Sequence, residues 1–244
     1  MGTKLISKRM ISAFQIKNIA IGFFFIFVIV AFATLTGVAQ VEQPEFLITW
    51  RAQSYAPPEF DGKLLPAPFS PIVATFEILV GGSFLDLSGE NINWYLDGKL
   101  LDRGVGVQTV AFRAGADAGT RHDLRIQING FQGKDKIAVK TIEIPIARPQ
   151  AIIEAPFPEN NFSTRTTRVK GRPYFFNVQN LSNLSFAWEV NGETPTDFKN
   201  PDLLSISLAE LPDDKAELRV NLKINNPANI FSEASDVLKL YFRK

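Results

Sequence analysis

The sequence predicts an all-β protein of two tandem β-sandwich domains, preceded by one N-terminal transmembrane helix. Three observations predict it. No residue from Asn18 to Val41 is charged. From Phe46 onward, apolar and polar residues alternate in short runs separated by turn dipeptides. The phrase Trp-x-x-(Asp/Asn)-Gly occurs twice, in "NINWYLDGKLLDRG" from Asn91 and in "LSFAWEVNGETP" from Leu184, with Trp94 and Trp188 94 residues apart.

Composition bounds the function. A chain of 244 residues holds one large domain or two small ones. A net charge of +1 sets up no long-range field towards nucleic acid, and no specific nucleic-acid partner is expected. The absence of Cys excludes disulfides, thiolate metal sites, Cys nucleophiles and a lipidated Cys. It leans towards a bacterial envelope protein, since secreted eukaryotic domains of this size often carry a disulfide. One His, His122, excludes a His-cluster metal site. No cofactor is expected.

The apolar run comes first along the chain. A helix of roughly 20 apolar residues spans the ~30 Å hydrocarbon core, and the run 18–41, centred on "IAIGFFFIFVIVAFATL", has no polar face. The leader 1–17 carries Lys4, Lys8, Arg9 and Lys17 and no acid, whereas Glu42 and Glu45 follow the run. The excess of cations before it puts the N-terminus in the cytoplasm and the rest outside. Gly37-Val38-Ala39 offers a signal-peptidase site before Gln40, but the apolar stretch exceeds the ~7–15 residues of a cleaved signal. A retained signal anchor over 18–41 is therefore expected. A type IV prepilin leader would cut at Gly22-Phe23, yet its fifth mature position, here Phe27, should be Glu.

The exported part reads as strands. "FLITW", "VATFEILV", "LRIQIN" and "IAVKTIEIPI" alternate with period two, and Pro57-Pro58, Asp61-Gly62, Gly81-Gly82, Asp97-Gly98 and Asn129-Gly130 divide them. The second half repeats the scheme in "PYFFNVQ", "LSFAWEVNG", "DLLSISL", "AELRVNLKIN" and "DVLKLYF". "HDLRIQING" follows Trp94 much as "AELRVNLKINN" follows Trp188. A repeat of this length is one sandwich, and a core Trp on the third strand, leaving through an Asx-Gly hairpin, is needed once per sandwich.

These residues resemble the Ig-like and PKD-type domains of bacterial surface proteins, over roughly Phe46 to Lys244. The resemblance implies domains at 42–147 and 148–244 and is one of fold, which hosts many unrelated functions. The chain lacks the Cys pair of antibody-type domains and the acidic calcium motifs of cadherin-type junctions. Pro145, Pro149, Pro156 and Pro158 stiffen the connection, whose boundary falls near Arg148. The Pro-rich stretch from Ser54 to Pro71 reads as a structured inter-strand loop or a binding loop.

Sites for chemistry are few. His122 precedes Asp123, but adjacent strand residues face opposite ways, and His122 reads as an exposed or half-buried structural residue. Asp213-Asp214 reads as a solvated loop, and no Walker loop, dinucleotide fingerprint or zinc motif occurs. Neither Asp97 with Asp102 nor Asp86 with Glu90 alternates oxygen ligands as a calcium loop does. The one positive patch is "RTTRVKGRPYFF": Arg165, Arg168, Lys170 and Arg172 form a candidate site for anionic polymer, or charges that protect an exposed strand edge. Trp94 and Trp188 are expected in the cores. The expectation is a non-enzymatic, single-pass cell-membrane protein displaying two domains outside for adhesion, spacing or envelope assembly. Its expected partners are other envelope or surface proteins, or anionic wall polymer. An accessory subunit of a pilus or secretion machine and a secreted glycan-binding module are the alternatives.

Overall fold

A computed structural model describes residues 43–243 except 132, 134–135, 197–199 and 213–214. The leader 1–17, the expected anchor 18–41 and Asp213-Asp214 lie outside the described residues. Pro44–Lys244 is a compact unit in itself. Among the described residues no helix is long and apolar enough to cross a membrane.

Alternation builds the first sandwich. Its strands are β1 (Glu45–Ala52), β2 (Pro71–Val80), β3 (Ser83–Phe84), β4 (Asn91–Leu96), β5 (Lys99–Val105), β6 (Thr109–Arg113), β7 (Arg121–Asn129) and β8 (Ile137–Pro145). One sheet pairs β1 along one edge of β2, with β3 and β6 pairing opposite ends of β2. The other runs β5-β4-β7-β8, every pair antiparallel. Every second residue points inward: Ile72, Ala74, Phe76 and Ile78 from β2, Ile92 and Trp94 from β4, and Leu124, Ile126 and Ile128 from β7 are buried. Each large aliphatic or aromatic side chain so buried contributes about 1.5–3 kcal/mol relative to exposure.

A second core, separate from the first, starts at Ala151. Its strands are β9 (Gln150–Glu154), β10 (Asn161–Phe162), β11 (Thr166–Tyr174), β12 (Ser185–Val190), β13 (Leu203–Ser207), β14 (Ala216–Asn226) and β15 (Asn229–Phe242). One sheet is β13-β11-β9; the other is β10-β15-β14-β12, with β10 parallel to β15.

The repeated phrase does the same work in both sandwiches. Trp94 on β4 pairs with Ile126, and Trp188 on β12 with Leu222. Each indole Nε1 donates to the carbonyl thirteen residues on: Val107 at 2.7 Å and Pro201 at 2.9 Å. A buried indole needs such a partner, and each copy supplies one from the crossover that closes the core. Asp97 (φ 51) with Gly98 (φ 78), and Asn191 (φ 52) with Gly192 (φ 88), have the paired positive φ of a type I′ turn. The Asx side chain then grips the neighbouring strand of the sheet, β7 in one copy and β14 in the other. The Asp123 amide donates to Asp97 Oδ1 at 2.9 Å, and the Arg219 amide to Asn191 Oδ1 at 2.8 Å.

Gly171 explains how Trp188 fits. A Cβ there would meet Leu222 Cδ2 at 2.8 Å and Trp188 Cζ2 at 3.1 Å. The indole therefore lies against bare backbone of β11.

Candidate functional site

The basic patch is divided by its neighbours. Arg168, Lys170 and Arg172 share the outward face of β11, and Arg165 precedes the strand. β11 is the central strand of its sheet, paired with β13 on one side and β9 on the other. The β13 ladder covers Thr166–Lys170 and the β9 ladder Lys170–Tyr174, so Lys170 joins both, whereas Arg168 lies on a stretch paired with β13 alone, where the edge-protecting reading still applies. Arg172 is drawn into two ion pairs, Nε to Glu154 at 2.7 Å and Nη1 to Glu59 at 3.0 Å. Its bond to Glu154, with the field of both carboxylates, outweighs burial and raises its pKa above the ordinary value. Lys170 Nζ lies 3.9 Å from Asp202. Arg165 and Arg168 stay exposed and, among the described residues, form no ion pair.

The Glu59 contact belongs to a larger joint. Glu59 sits in the Pro-rich loop between β1 and β2, and that loop crosses to the second sandwich. The Tyr55 amide donates to the Phe176 carbonyl, and the Phe175 amide to the Tyr55 carbonyl, each at 2.7 Å. This isolated antiparallel bridge holds Phe175 at φ 56, a left-handed conformation rare for a bulky side chain. Phe60 meets Tyr174 and Phe175 edge-on, each at 5.8 Å between centroids. Tyr55 packs against the second core. Burial first, then the nearby Asp202, raises the pKa of its phenol.

The loop is also tied to itself and to the connection. Phe60 N donates to Pro57 O at 3.0 Å, Ser70 N to Ala67 O at 3.0 Å, and Ala147 N, in the linker, to Pro66 O at 2.8 Å. Ala67 and Ser70 are fully buried. The stretch is thus an ordered strut that reaches both the linker and the second sandwich. Proline supplies stiffness and has no amide to donate, while the Pro57 and Pro66 carbonyls accept from the Phe60 and Ala147 amides.

Beside the strut, a cleft of about 420 Å³ opens between the sandwiches. Amide side chains line it: Gln53 from the first sandwich, and Asn177, Gln179, Asn180, Asn183 and Asn226 from the second, with Arg113 at one side. No carboxylate borders it among the described residues.

His122 makes an arrangement that sequence reasoning missed. It is buried, at 8% exposure, rather than exposed or half-buried. Its partner is not the adjacent Asp123 but Asp97, 25 residues earlier, with Nδ1 2.6 Å from Asp97 Oδ2. The Gly115 amide donates to Nε2 at 2.8 Å. An Nε2 that accepts puts the proton on Nδ1, facing the carboxylate, and leaves no ring nitrogen free to act as a base. Burial opposes ionisation of Asp97, but the Asp123 amide, the His122 ring and Lys99 outweigh it and hold its pKa below the ordinary value. Among the described residues no three His, Asp or Glu side chains gather as metal ligands would.

No protein-family model matches the sequence, and no curated protein matches it. Solved structures do. The three N-terminal domains of the highly immunogenic outer capsid protein of bacteriophage RB49 are similar at 10% identity over 82% of this chain and 59% of that one, with a TM-score of 0.42. The central fibronectin-III array of RIM-binding protein is similar at 13% identity, over 86% of this chain and 66% of that one, with a TM-score of 0.40. The first three fibronectin domains of chicken CNTN1 follow at 10% identity, over 75% and 65%, with a TM-score of 0.34. The chain thus spans roughly three-fifths to two-thirds of each. The neighbours are Ig-like and fibronectin-III-type β-sandwich domains, as the fold-level resemblance implied. The likeness is one of fold alone.

Proposed function

We propose that the protein is a membrane-anchored, non-enzymatic presenter of two β-sandwich domains on the outer side of the cell membrane. It serves adhesion, spacing or envelope assembly, and its partners are other envelope or surface proteins. The observation that carries this reading is the strut. An inter-strand loop of one sandwich pairs its backbone, an ion pair and an aromatic contact with the other. That arrangement holds the second sandwich at a set orientation, which a display or spacer element needs and a flexible tether lacks. The uncharged run 18–41 behind a basic leader supplies the attachment.

The test is affinity capture of the full chain from detergent-solubilised native membranes. Sub-stoichiometric recovery of varied surface proteins supports display. A fixed set of stoichiometric membrane partners would replace the reading with the accessory subunit of a pilus or secretion machine.

The amide-lined cleft favours one second reading, a glycan-binding module. Side-chain amides offer a donor and an acceptor together, which suits neighbouring hydroxyls. A neutral-oligosaccharide array decides it: signal lost in Asn180→Ala supports the module, and a blank array removes it.

A further inference from the structure

The first sandwich has two poles. At one, β2 begins, β8 ends and the strut leaves for the second sandwich. At the other, β1 begins, β2 ends, and β4 and β8 begin. Pairing fixes this second pole within each sheet: Glu45 lies opposite Leu79, Leu79 opposite Phe84, Asn91 opposite both Val105 and Asn129, and Asn129 opposite Ile137. Phe46 and Phe131, with ring centroids 5.7 Å apart, join the two sheets at that end.

That pole exposes four large apolar side chains among polar ones. Phe84 is 64% exposed, Leu85 40%, Val105 61% and Ile137 62%. Single exposed apolar residues are ordinary. Four at one end of the sandwich, Phe84 and Leu85 at the end of β3 in one sheet and Val105 and Ile137 at this end of β5 and β8, the two edge strands of the other, give a partner apolar side chains to cover.

Chain length says what covers it. The uncharged run ends at Val41 and β1 begins at Glu45, so Glu42, Gln43 and Pro44 alone lie between. Three extended residues reach about 10 Å. The headgroup layer is itself about 5–7 Å deep on each side of the hydrocarbon. With the run in a bilayer, this pole stays at its surface.

We infer that the β1-start pole is a lipid-interface seat, with Phe84, Leu85, Val105 and Ile137 entering the headgroup–acyl boundary. The seat rests on the retained anchor and deepens that reading: the anchor holds the protein, and the seat sets how the first sandwich stands on the membrane. The ionisable groups say which lipids it takes. Glu45 and Asp86 are exposed and Glu90 is half-buried, against Lys136. The Ser88 amide, then its hydroxyl, keep the Asp86 carboxyl below its usual range. With more acid than base among its described residues, the pole gains nothing from anionic lipid, so the contact is apolar and forms on neutral phosphatidylcholine.

The chain has no Cys, which makes the test direct. Phe84→Cys, Ile137→Cys and, as a solvent control, Phe231→Cys are each labelled with an NBD dye in the full chain and placed in phosphatidylcholine nanodiscs. The seat predicts blue-shifted emission at positions 84 and 137, about twofold or greater quenching there by shallow nitroxide lipids, and neither effect at 231. Adding anionic lipid should leave the quenching unchanged. Water-like emission at 84 and 137, in a chain that only detergent extracts, overturns the seat and leaves the anchor standing. Release of the full chain by carbonate wash overturns the anchor reading itself. A blue shift without quenching, growing with protein per disc, assigns the pole to a second copy and also overturns the seat.

Discussion

At the scale of single residues, the two cores depend on what stands beside each Trp. Trp188 lies where Gly171 removes a side chain from β11, so Gly171→Ala should overpack the core by about 1–3 kcal/mol. Trp188→Ala leaves a cavity and should cost about 3–5 kcal/mol, much of a small domain's ~5–15 kcal/mol. Thermal melting checks both, and an unchanged midpoint in either variant would refute the packing described. Asp97 invites a pH experiment. Its folded pKa lies below the ordinary 3.8, so its contribution is complete above that value and drains away as pH falls through the lower folded value. Asp97→Asn should cost about 1 kcal/mol at neutral pH, because the amide leaves the buried His122 Nδ1 proton without its carboxylate. It should also flatten the acid end of the stability profile, measured by denaturant melts from neutral pH down into the acid range. The Trp residues were legible because alternation marks an inward face. The Asp97–His122 pair was not, because Asp97 sits in a turn and His122 on a strand, and only the pairing of β4 with β7 brings them together.

At the scale of elements, the strut decides whether two sandwiches act as one. Phe60 gives it two edge-on aromatic contacts, each worth about 0.5–1.5 kcal/mol. Phe60→Ala should therefore weaken the joint by about 1–2 kcal/mol and split a shared calorimetric transition into two. A single transition in the variant would mean that the loop touches the second sandwich without stabilising it. The Pro content marked this loop as structured or functional, but its destination was invisible. Tyr55 and Phe176 are 121 residues apart in sequence, and no local pattern announces an isolated bridge. The basic run shows the same limit from the other side. Alternation put Arg168, Lys170 and Arg172 on one face correctly. Whether their strand was an edge, and whether Glu59 from another domain would neutralise one of them, depended on topology. What remains for an anionic polymer is Arg165 and Arg168. Charge reversal at Arg168 should abolish such binding if it exists, and moderate salt should weaken it. Binding measured by polymer co-sedimentation that survived both changes would place the ligand elsewhere.

At the scale of the whole molecule, the proposed function turns on attachment, and a single peptide bond decides that. A retained run of about twenty apolar residues is effectively permanent in a bilayer, whereas cleavage after Ala39 would free a chain beginning at Gln40. The run exceeds a cleaved signal in length and is led by four cations, so the native protein is expected to keep the residues before Gln40 in its mass and to be recovered only with detergent. Intact-mass spectrometry of membrane and soluble fractions measures it. The outcome also reaches the first sandwich. If the N-terminus is Gln40, Phe84, Leu85, Val105 and Ile137 would stand in water, an apolar pole without a cover. Such a surface on a released protein drives self-association, so the cleaved form should be oligomeric by light scattering where the anchored form is not. A soluble, monomeric chain starting at Gln40 would contradict both the anchor and the membrane cover proposed for the apolar pole.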